Sequence, residues 1–206
     1  MLQDYIQLDT AEMLADRPFT DPVDSLQDVV TLQYMIERLG QIVLQPGVVP
    51  EYPRPFVLYA TEAEDRYHRM AVSRLEPLLT TENLYVVGFF GKKRPEADRG
   101  PINGIDEDLI AEFPQHPHLL TYSTMQLPCG NSCNLVLFSK LLGLAHWAKS
   151  STHTRAMTLS PAYYSHIRLH NAMLPEGVKS YNQLTLQRTK YFDFTGDTTW
   201  VAIREL

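Results

Sequence analysis

The feature that most constrains this chain is an alternating segment at residues 163–171, YYSHIRLHN. Successive side chains of a β-strand point to opposite faces of its sheet. Ile167 and Leu169 would therefore lie on one face, and a polar row would lie on the other. The pattern predicts a strand with one core face and one face able to bind an anion or move a proton. The polar row consists of Tyr164, His166, Arg168 and His170.

The composition is that of an ordinary globular protein. Of the 206 residues, 44% are hydrophobic and 20% are charged, and the formal net charge is −6. A net negative charge argues against nucleic acid or an anionic membrane as the main partner, because both attract basic surfaces. Residues 1–30 carry several acidic side chains and no uninterrupted apolar run. We therefore expect no signal peptide, no membrane span and a cytoplasmic location.

The first part of the chain, residues 1–83, is predicted to be a helical extension. Asp21-Pro22 is typical of a helix start, because a capping side chain is followed by proline at the first helical position. Residues 46–55 contain four prolines, which favours an extended connection. Thr61-x-x-Glu64 matches a capping box and predicts a second helix that ends near residue 79.

From residue 84 onward, strand patterns alternate with helix patterns. Strands are predicted at 84–90, 119–127, 134–138 and 163–174, and helices at 105–113 and 140–157. The order strand, helix, strand, strand, helix, strand is the split βαβ, or ferredoxin-like, arrangement. A C-terminal β-hairpin is predicted from residues 183–194 and 199–205. The expected fold class is therefore α+β, with a ferredoxin-like domain at residues 84–206.

The region around the 140–157 helix resembles a known superfamily. In residues 138–153, FSKLLGLAHWAKSSTH, Phe138-Ser139 precedes the predicted helix, Trp147 lies within it and His153 follows Trp147 by six residues. This pattern is similar to that of the dimeric α/β-barrel superfamily, which includes the antibiotic-biosynthesis-monooxygenase-like proteins. The resemblance covers residues 84–174. It implies a ferredoxin-like fold, small-molecule binding and, as one option, an oxidoreductase of the oxygenase type.

Within that superfamily, the chain also resembles the haem-containing aldoxime dehydratases. The similarity lies in the segments WAKSSTH at 147–153 and RLH at 168–170. It implies that His153 is the axial haem ligand and that His170 is the distal acid/base. The resemblance thus implies haem as one possible cofactor. No other metal site is expected, because His146 and His153 would lie about two helical turns, or ~10 Å, apart on one helix, too far to share an ion.

The candidate site combines the polar strand with this helix. Arg168 would hold an anionic group bidentately, while His170 or His153 would act as acid, base or axial ligand. Two alternatives stay open: the polar strand face contacts solvent or a dimer interface, and His153 interacts with the carbonyls at a helix end. The other candidate ligand-binding residues are Tyr164, His166, Trp147 and His146.

The predicted architecture also suggests a homodimer. A ferredoxin-like sheet is covered by its helices on one face, so the other face needs a partner or a pocket. The expected function is binding of haem or of an apolar small molecule with an anionic group, with oxygenase or dehydratase chemistry as an option.

A second resemblance leads to a different function. The dipeptides Thr31-Leu32, Ile36-Glu37 and Arg66-Tyr67, together with VVGFFG at residues 86–91, look like parts of the DICT sensory domain. This resemblance implies a non-catalytic domain that senses a ligand or binds another protein.

Overall fold

The structure is a computed structural model that describes residues 5–45, 55–98, 100–180 and 182–206. Within these residues the fold is α+β, with one mixed nine-stranded sheet. Apart from Pro55, the predicted proline-rich connection at 46–55 lies outside the described residues. The strands are β1 Ile6–Leu8, β2 Phe56–Thr61, β3 Tyr67–Val72, β4 Leu84–Lys93, β5 Leu119–Gln126, β6 Ser132–Phe138, β7 Tyr164–Leu174, β8 Thr185–Asp193 and β9 Trp200–Glu205.

The strand order across the sheet is β1-β9-β8-β7-β4-β6-β5-β3-β2. The pair β1–β9 is parallel and every other pair is antiparallel. The predicted hairpins β5–β6 and β8–β9 are confirmed by their antiparallel registers. Strands β1, β2 and β3 join the same sheet as the later strands. The predicted boundary at residue 83 therefore divides elements of one sheet, and the part before it is not purely helical.

Five helices pack on this sheet in the described part of the chain. The first begins as predicted, because the Asp21 side chain accepts a hydrogen bond of 2.9 Å from the Val23 amide and Pro22 is the first helical residue. No helix of the described residues is long and apolar enough to cross a membrane. The helices are α1 Pro22–Val43, α2 Leu75–Thr80, α3 Gly100–Ala111, α4 Leu141–Trp147 and α5 Ser151–Tyr163.

The two faces of the sheet have separate cores because side chains alternate along each strand. In β4, Leu84 and Val86 pack in the core beneath α1. Val87 and the partly buried Tyr85 pack in the core formed with α3, α4 and α5. The sheet is therefore covered on both faces. The predicted homodimer assumed one uncovered face, and that assumption is wrong because α1 covers it.

The predicted helix at residues 61–79 is wrong. Thr61 ends β2, a 3₁₀ turn occupies Ala63–Asp65, and the chain returns as β3 before the short α2. Glu64 and Asp65 have φ angles of 62° and 54°. This left-handed backbone cannot continue a right-handed helix, so the capping-box pattern forms the turn of a hairpin instead.

The helix predicted at residues 140–157 is two helices, α4 and α5. The break falls at residues 148–150, where Ser150 caps α5 by accepting a hydrogen bond of 3.1 Å from the His153 amide. Serine favours such a cap because its side chain satisfies one of the free amides of the first turn. His146 and His153 therefore belong to different helices.

Close packing of α1 on the sheet depends on Gly88 in β4. A β-carbon added at this position would lie 2.4 Å from Cδ1 of Leu32, which is fully buried in α1. An alanine would therefore push α1 away from the sheet or displace Leu32 within a filled core.

We expect Gly88→Ala to lower the free energy of unfolding by about 1–3 kcal/mol, the usual cost of overpacking a core. The matched control is Gly104→Ala in α3, where an added β-carbon meets nothing within 4 Å. Because alanine favours helix over glycine, the control should be neutral or stabilising by up to about 1 kcal/mol. Urea denaturation would measure both. Equal stabilities of the two variants would contradict the close approach of α1.

Candidate functional site

Three of the four polar side chains predicted for one face of β7 share that face. His166 stacks on Phe19, which lies just before α1, with ring centroids 4.3 Å apart. Arg168 and His170 both bind Asp28 of α1. The polar row therefore faces α1 and the segment that precedes it.

Tyr164 does not belong to this row. Its ring packs against Phe89, with centroids 5.2 Å apart, on the face that carries α3 to α5. The pairing of β4 with β7 shifts register between Lys92 and Lys93. A β-bulge of this kind inserts one residue, so it reverses the alternation beyond that point. Burial on this face raises the pKa of Tyr164 to about 12.

The polar face of β7 is held by a network that we call the α1 network: Asp24, Asp28, Arg168, His170 and Thr189. Arg168 donates to both carboxylate oxygens of Asp28, from Nε at 2.6 Å and from Nη2 at 3.0 Å. Its Nη1 donates to Asp24 at 3.1 Å. Nε2 of His170 lies 2.9 Å from Asp28 Oδ2, and Nδ1 lies 2.9 Å from the Thr189 hydroxyl.

The α1 network leaves little capacity for a ligand. A carboxylate only accepts hydrogen bonds, so Nε2 of His170 donates to Asp28, while Nδ1 pairs with the Thr189 hydroxyl. His170 is fully buried and both its ring nitrogens are engaged. Arg168 already binds two carboxylates of its own chain. The predicted roles of Arg168 as an anion anchor and His170 as a catalytic acid/base are therefore not supported by their positions.

The environment of His166 favours the neutral imidazole. Burial, reinforced by the charge of Arg168, lowers the pKa of His166 from 6.5 to about 4, against an opposing effect of Asp193. Its stacked contact with Phe19 belongs to the packing of the segment that precedes α1.

A haem between His153 and His170 does not fit this chain. His170 lies on the α1 face of the sheet, where it contacts Asp28. His153 begins α5 on the opposite face, with its ring centroid 6.2 Å from that of Trp147. The sheet separates the two histidines, so they cannot flank one cofactor.

Another cluster of polar side chains lies on the α3 to α5 face. His116 is 5% exposed, and its ring contacts Trp147 and His146 edge-on, with centroid distances of 4.9 and 5.2 Å. Glu112 lies one helical turn before it and accepts hydrogen bonds from Thr152 at 2.5 Å and from Ser151 at 3.4 Å. Three predicted site residues, His146, Trp147 and His153, thus meet at one place.

This cluster opens into a cleft of about 350 Å³, which we call the histidine cleft. Its position follows from the break between α4 and α5, which brings both helix ends beside the end of α3. The residues that line the histidine cleft are Glu112, Gln115, His116, His146, Lys149, Ser150 and Ser151.

Buried polar atoms without partners concentrate beside the histidine cleft. They are both ring nitrogens of His116 and Oε2 of Glu112, which form no hydrogen bond in the described part of the chain. More than nine-tenths of buried polar groups in proteins have a partner. Leaving such a group unpaired costs about 1–3 kcal/mol, so these three atoms can hydrogen-bond to water or to another polar molecule.

The protonation state of His116 follows from its surroundings. Burial lowers the pKa of His116 below 6.5, and the neighbouring His146 lowers it further, whereas Glu112 raises it. The pKa of His153 is also lowered by burial. Neutral imidazoles each offer one donor and one acceptor, which suits hydrogen bonding to a polar molecule and proton transfer near neutral pH.

Four residues of these two sites are not among the predicted site residues, although the spacing of each pair is a signal. Asp24 and Asp28 are four residues apart and share one side of α1, where Asp28 is buried. Glu112 and His116 have the same spacing at the end of α3. An acidic residue on the apolar side of a helix requires a partner, and this rule points to Arg168.

The described residues contain no group of three or more histidine, cysteine, aspartate or glutamate side chains that could hold a metal ion. Comparison with known proteins adds no assignment: no protein-family model matches the chain, and no curated protein matches it.

Replacing the buried acid of the α1 network should destabilise the protein. We expect Asp28→Asn to cost roughly 3 kcal/mol in free energy of unfolding, because it leaves Arg168 and His170 without their shared carboxylate. Asp24→Asn is the control. Its side chain is 40% exposed, so its loss should cost less than about 1 kcal/mol. Equal losses in urea denaturation would contradict the central role of Asp28.

The lowered pKa of His166 should make folding sensitive to acid. In the folded chain its pKa is about 4, against 6.5 for the free side chain. The unfolded chain then binds the proton more readily, so stability falls as the pH decreases from about 6.5 to about 4. His166→Phe keeps an aromatic ring beside Phe19 but cannot titrate, and it should lose less stability over this range. Identical pH profiles from chemical denaturation would count against this prediction.

Proposed function

We propose that this chain is a small-molecule-binding protein and that the histidine cleft holds the ligand. The observation that carries the proposal is the side chain of His116, whose two ring nitrogens are buried at the cleft without a partner. Concave sites with a few convergent polar groups are the usual places for ligands. A volume of about 350 Å³ suits a small molecule.

The spacing of the polar atoms defines the kind of ligand group. Nε2 of His116 lies 3.9 Å from Oε2 of Glu112. This distance is too long for a direct hydrogen bond, but a single oxygen or nitrogen atom can lie about 2.8 Å from both. The ligand therefore carries a hydroxyl, amide or amine that donates to Glu112 and bonds His116. Arg168 has no part in binding, because it is paired with Asp24 and Asp28.

The proposed fold family follows from the central strands. They lie in the order β7-β4-β6-β5, with α3 between β4 and β5 and with α4 and α5 between β6 and β7. This order supports a ferredoxin-like core that is enlarged by strands on both sides. The motif of Trp147 and His153, on which the α/β-barrel resemblance rests, lies beside the proposed site.

Acid–base catalysis is one use of the histidine cleft. A neutral His116 next to Glu112 can accept a proton from a bound hydroxyl or amine and return it elsewhere on the ligand. The second candidate function is the sensory or interaction domain, without catalysis. It is favoured by the outer side of α1, which exposes four apolar side chains: Val23, Leu26, Val30 and Tyr34.

Ligand binding can be tested by NMR with a library of small polar fragments added to the full chain. We expect one or more hydroxyl- or amide-bearing fragments to shift the imidazole nitrogen resonances of His116 and the amide signals around Ser150. In His116→Phe, which removes both ring nitrogens, affinity should fall about tenfold or more, because one hydrogen bond in a desolvated site is worth about 1–1.5 kcal/mol.

The matched control is His118→Phe. His118 lies outside the histidine cleft, with Nδ1 3.3 Å from the Ser139 hydroxyl, so fragment affinity should not change. Glu112→Gln provides a second test that keeps the size of the side chain. Fragments that shift no cleft resonance, or that bind His116→Phe as tightly as the original chain, would refute the proposal.

A further inference from the structure

A separate cleft of about 350 Å³ lies where α2 begins. It has no lining residue in common with the histidine cleft. Because it carries two opposite charges between three proline rings, we call it the proline cleft. Its lining residues are Pro55, Ser73, Arg74, Glu76, Pro77 and Pro114.

Arg74 is the unusual member of the proline cleft. Its side chain is partly buried, and its Nε is enclosed without a hydrogen-bond partner. Every other arginine in the described ranges binds a carboxylate or a backbone carbonyl, whereas Arg74 binds neither. A guanidinium presents a planar fork of donors that matches a carboxylate. Arg74 can therefore bind an oxyanion in a chain with a net charge of −6.

Glu76 supplies the opposite charge in the same cleft. It is exposed in the first turn of α2 and forms no ion pair with Arg74 among the described contacts. Because Arg74 and Glu76 carry opposite charges and do not pair with each other, the cleft complements a molecule that has both a positive and a negative group. A dianion such as phosphate would bind Arg74 but would be repelled by Glu76.

The proline rings define the remaining part of the ligand. Pro55, Pro77 and Pro114 come from three separate segments of the chain and line the cleft with apolar surface. Such surface favours an apolar side chain, because burial of apolar area is stabilising. Proline side chains also lose little conformational entropy on binding, so packing a ligand against these rings costs little side-chain entropy.

We propose that the proline cleft binds a zwitterionic amino acid with an apolar side chain. Its carboxylate pairs with the Arg74 guanidinium, its ammonium group lies next to Glu76, and its side chain packs on the proline rings. This inference is independent of the histidine cleft, because the two clefts share no lining residue.

The test is an NMR titration of the full chain with four probes: L-phenylalanine, N-acetyl-L-phenylalanine, L-phenylalanine amide and inorganic phosphate. L-phenylalanine should shift the amide signals of residues 73–77. It should bind about tenfold or more tightly than either blocked derivative, because each derivative lacks one of the two charge-assisted contacts. Phosphate should bind more weakly than L-phenylalanine.

Variants separate the two charges. Arg74→Gln should weaken L-phenylalanine about tenfold or more, since the charge-assisted bonds to the carboxylate are lost. Glu76→Gln should weaken L-phenylalanine but leave N-acetyl-L-phenylalanine unchanged or tighter. Arg155→Gln is the control, because Arg155 pairs with Asp108 away from this cleft and is 53% exposed. Its affinities should equal those of the original chain.

Three results would overturn the proposal. The first is the absence of shifts around Arg74 with all four probes. The second is L-phenylalanine affinity that survives Arg74→Gln. The third is phosphate binding that is tighter than amino-acid binding, which would identify the cleft as a simple oxyanion site. Because the variants leave His116 untouched, each of these results is separate from the outcome at the histidine cleft.

Discussion

The attachment of α1 to the sheet through Asp28 is the interaction on which the rest of the structure depends. One carboxylate accepts hydrogen bonds from both Arg168 and His170. Around this polar contact, apolar side chains of α1 close the core on that face of the sheet. Asp28, Arg168 and His170 stabilise one another, because any one of them buried alone would be an unpaired charge or an unpaired hydrogen-bonding group in a medium of low dielectric constant.

The contact with α1 explains why β7 carries polar side chains on one face. An arginine and two histidines on one strand face look like a site when the covering element is unknown. Once α1 lies on them, the same side chains become the polar part of a helix–sheet contact. A cleft with buried, unpaired polar atoms beside it lies instead on the other face, where the break between α4 and α5 brings His146 and Ser150 next to His116.

Local patterns predicted some elements well and others poorly, for physical reasons. The start of α1 and the hairpin β8–β9 follow from capping, proline and alternation, which act between neighbours in the chain. The capping box at Thr61 failed because two residues with left-handed backbone turn the chain into a hairpin. Tyr164 was assigned to the wrong face because a bulge depends on the neighbouring strand, and one strand's sequence does not contain that information.

The sequence by itself determined the α+β class, the strand at His166 to His170 and a helical segment that carries Trp147 and His153. Only the tertiary structure decided which side chains meet. Asp28 and Arg168 are separated by 140 residues, and Glu112 and Thr152 by 40 residues. Spacing along the chain controls neighbours within one element, whereas contacts between elements depend on how whole helices and strands pack. The histidine cleft therefore forms only when the end of α3 and the break between α4 and α5 pack together on the sheet.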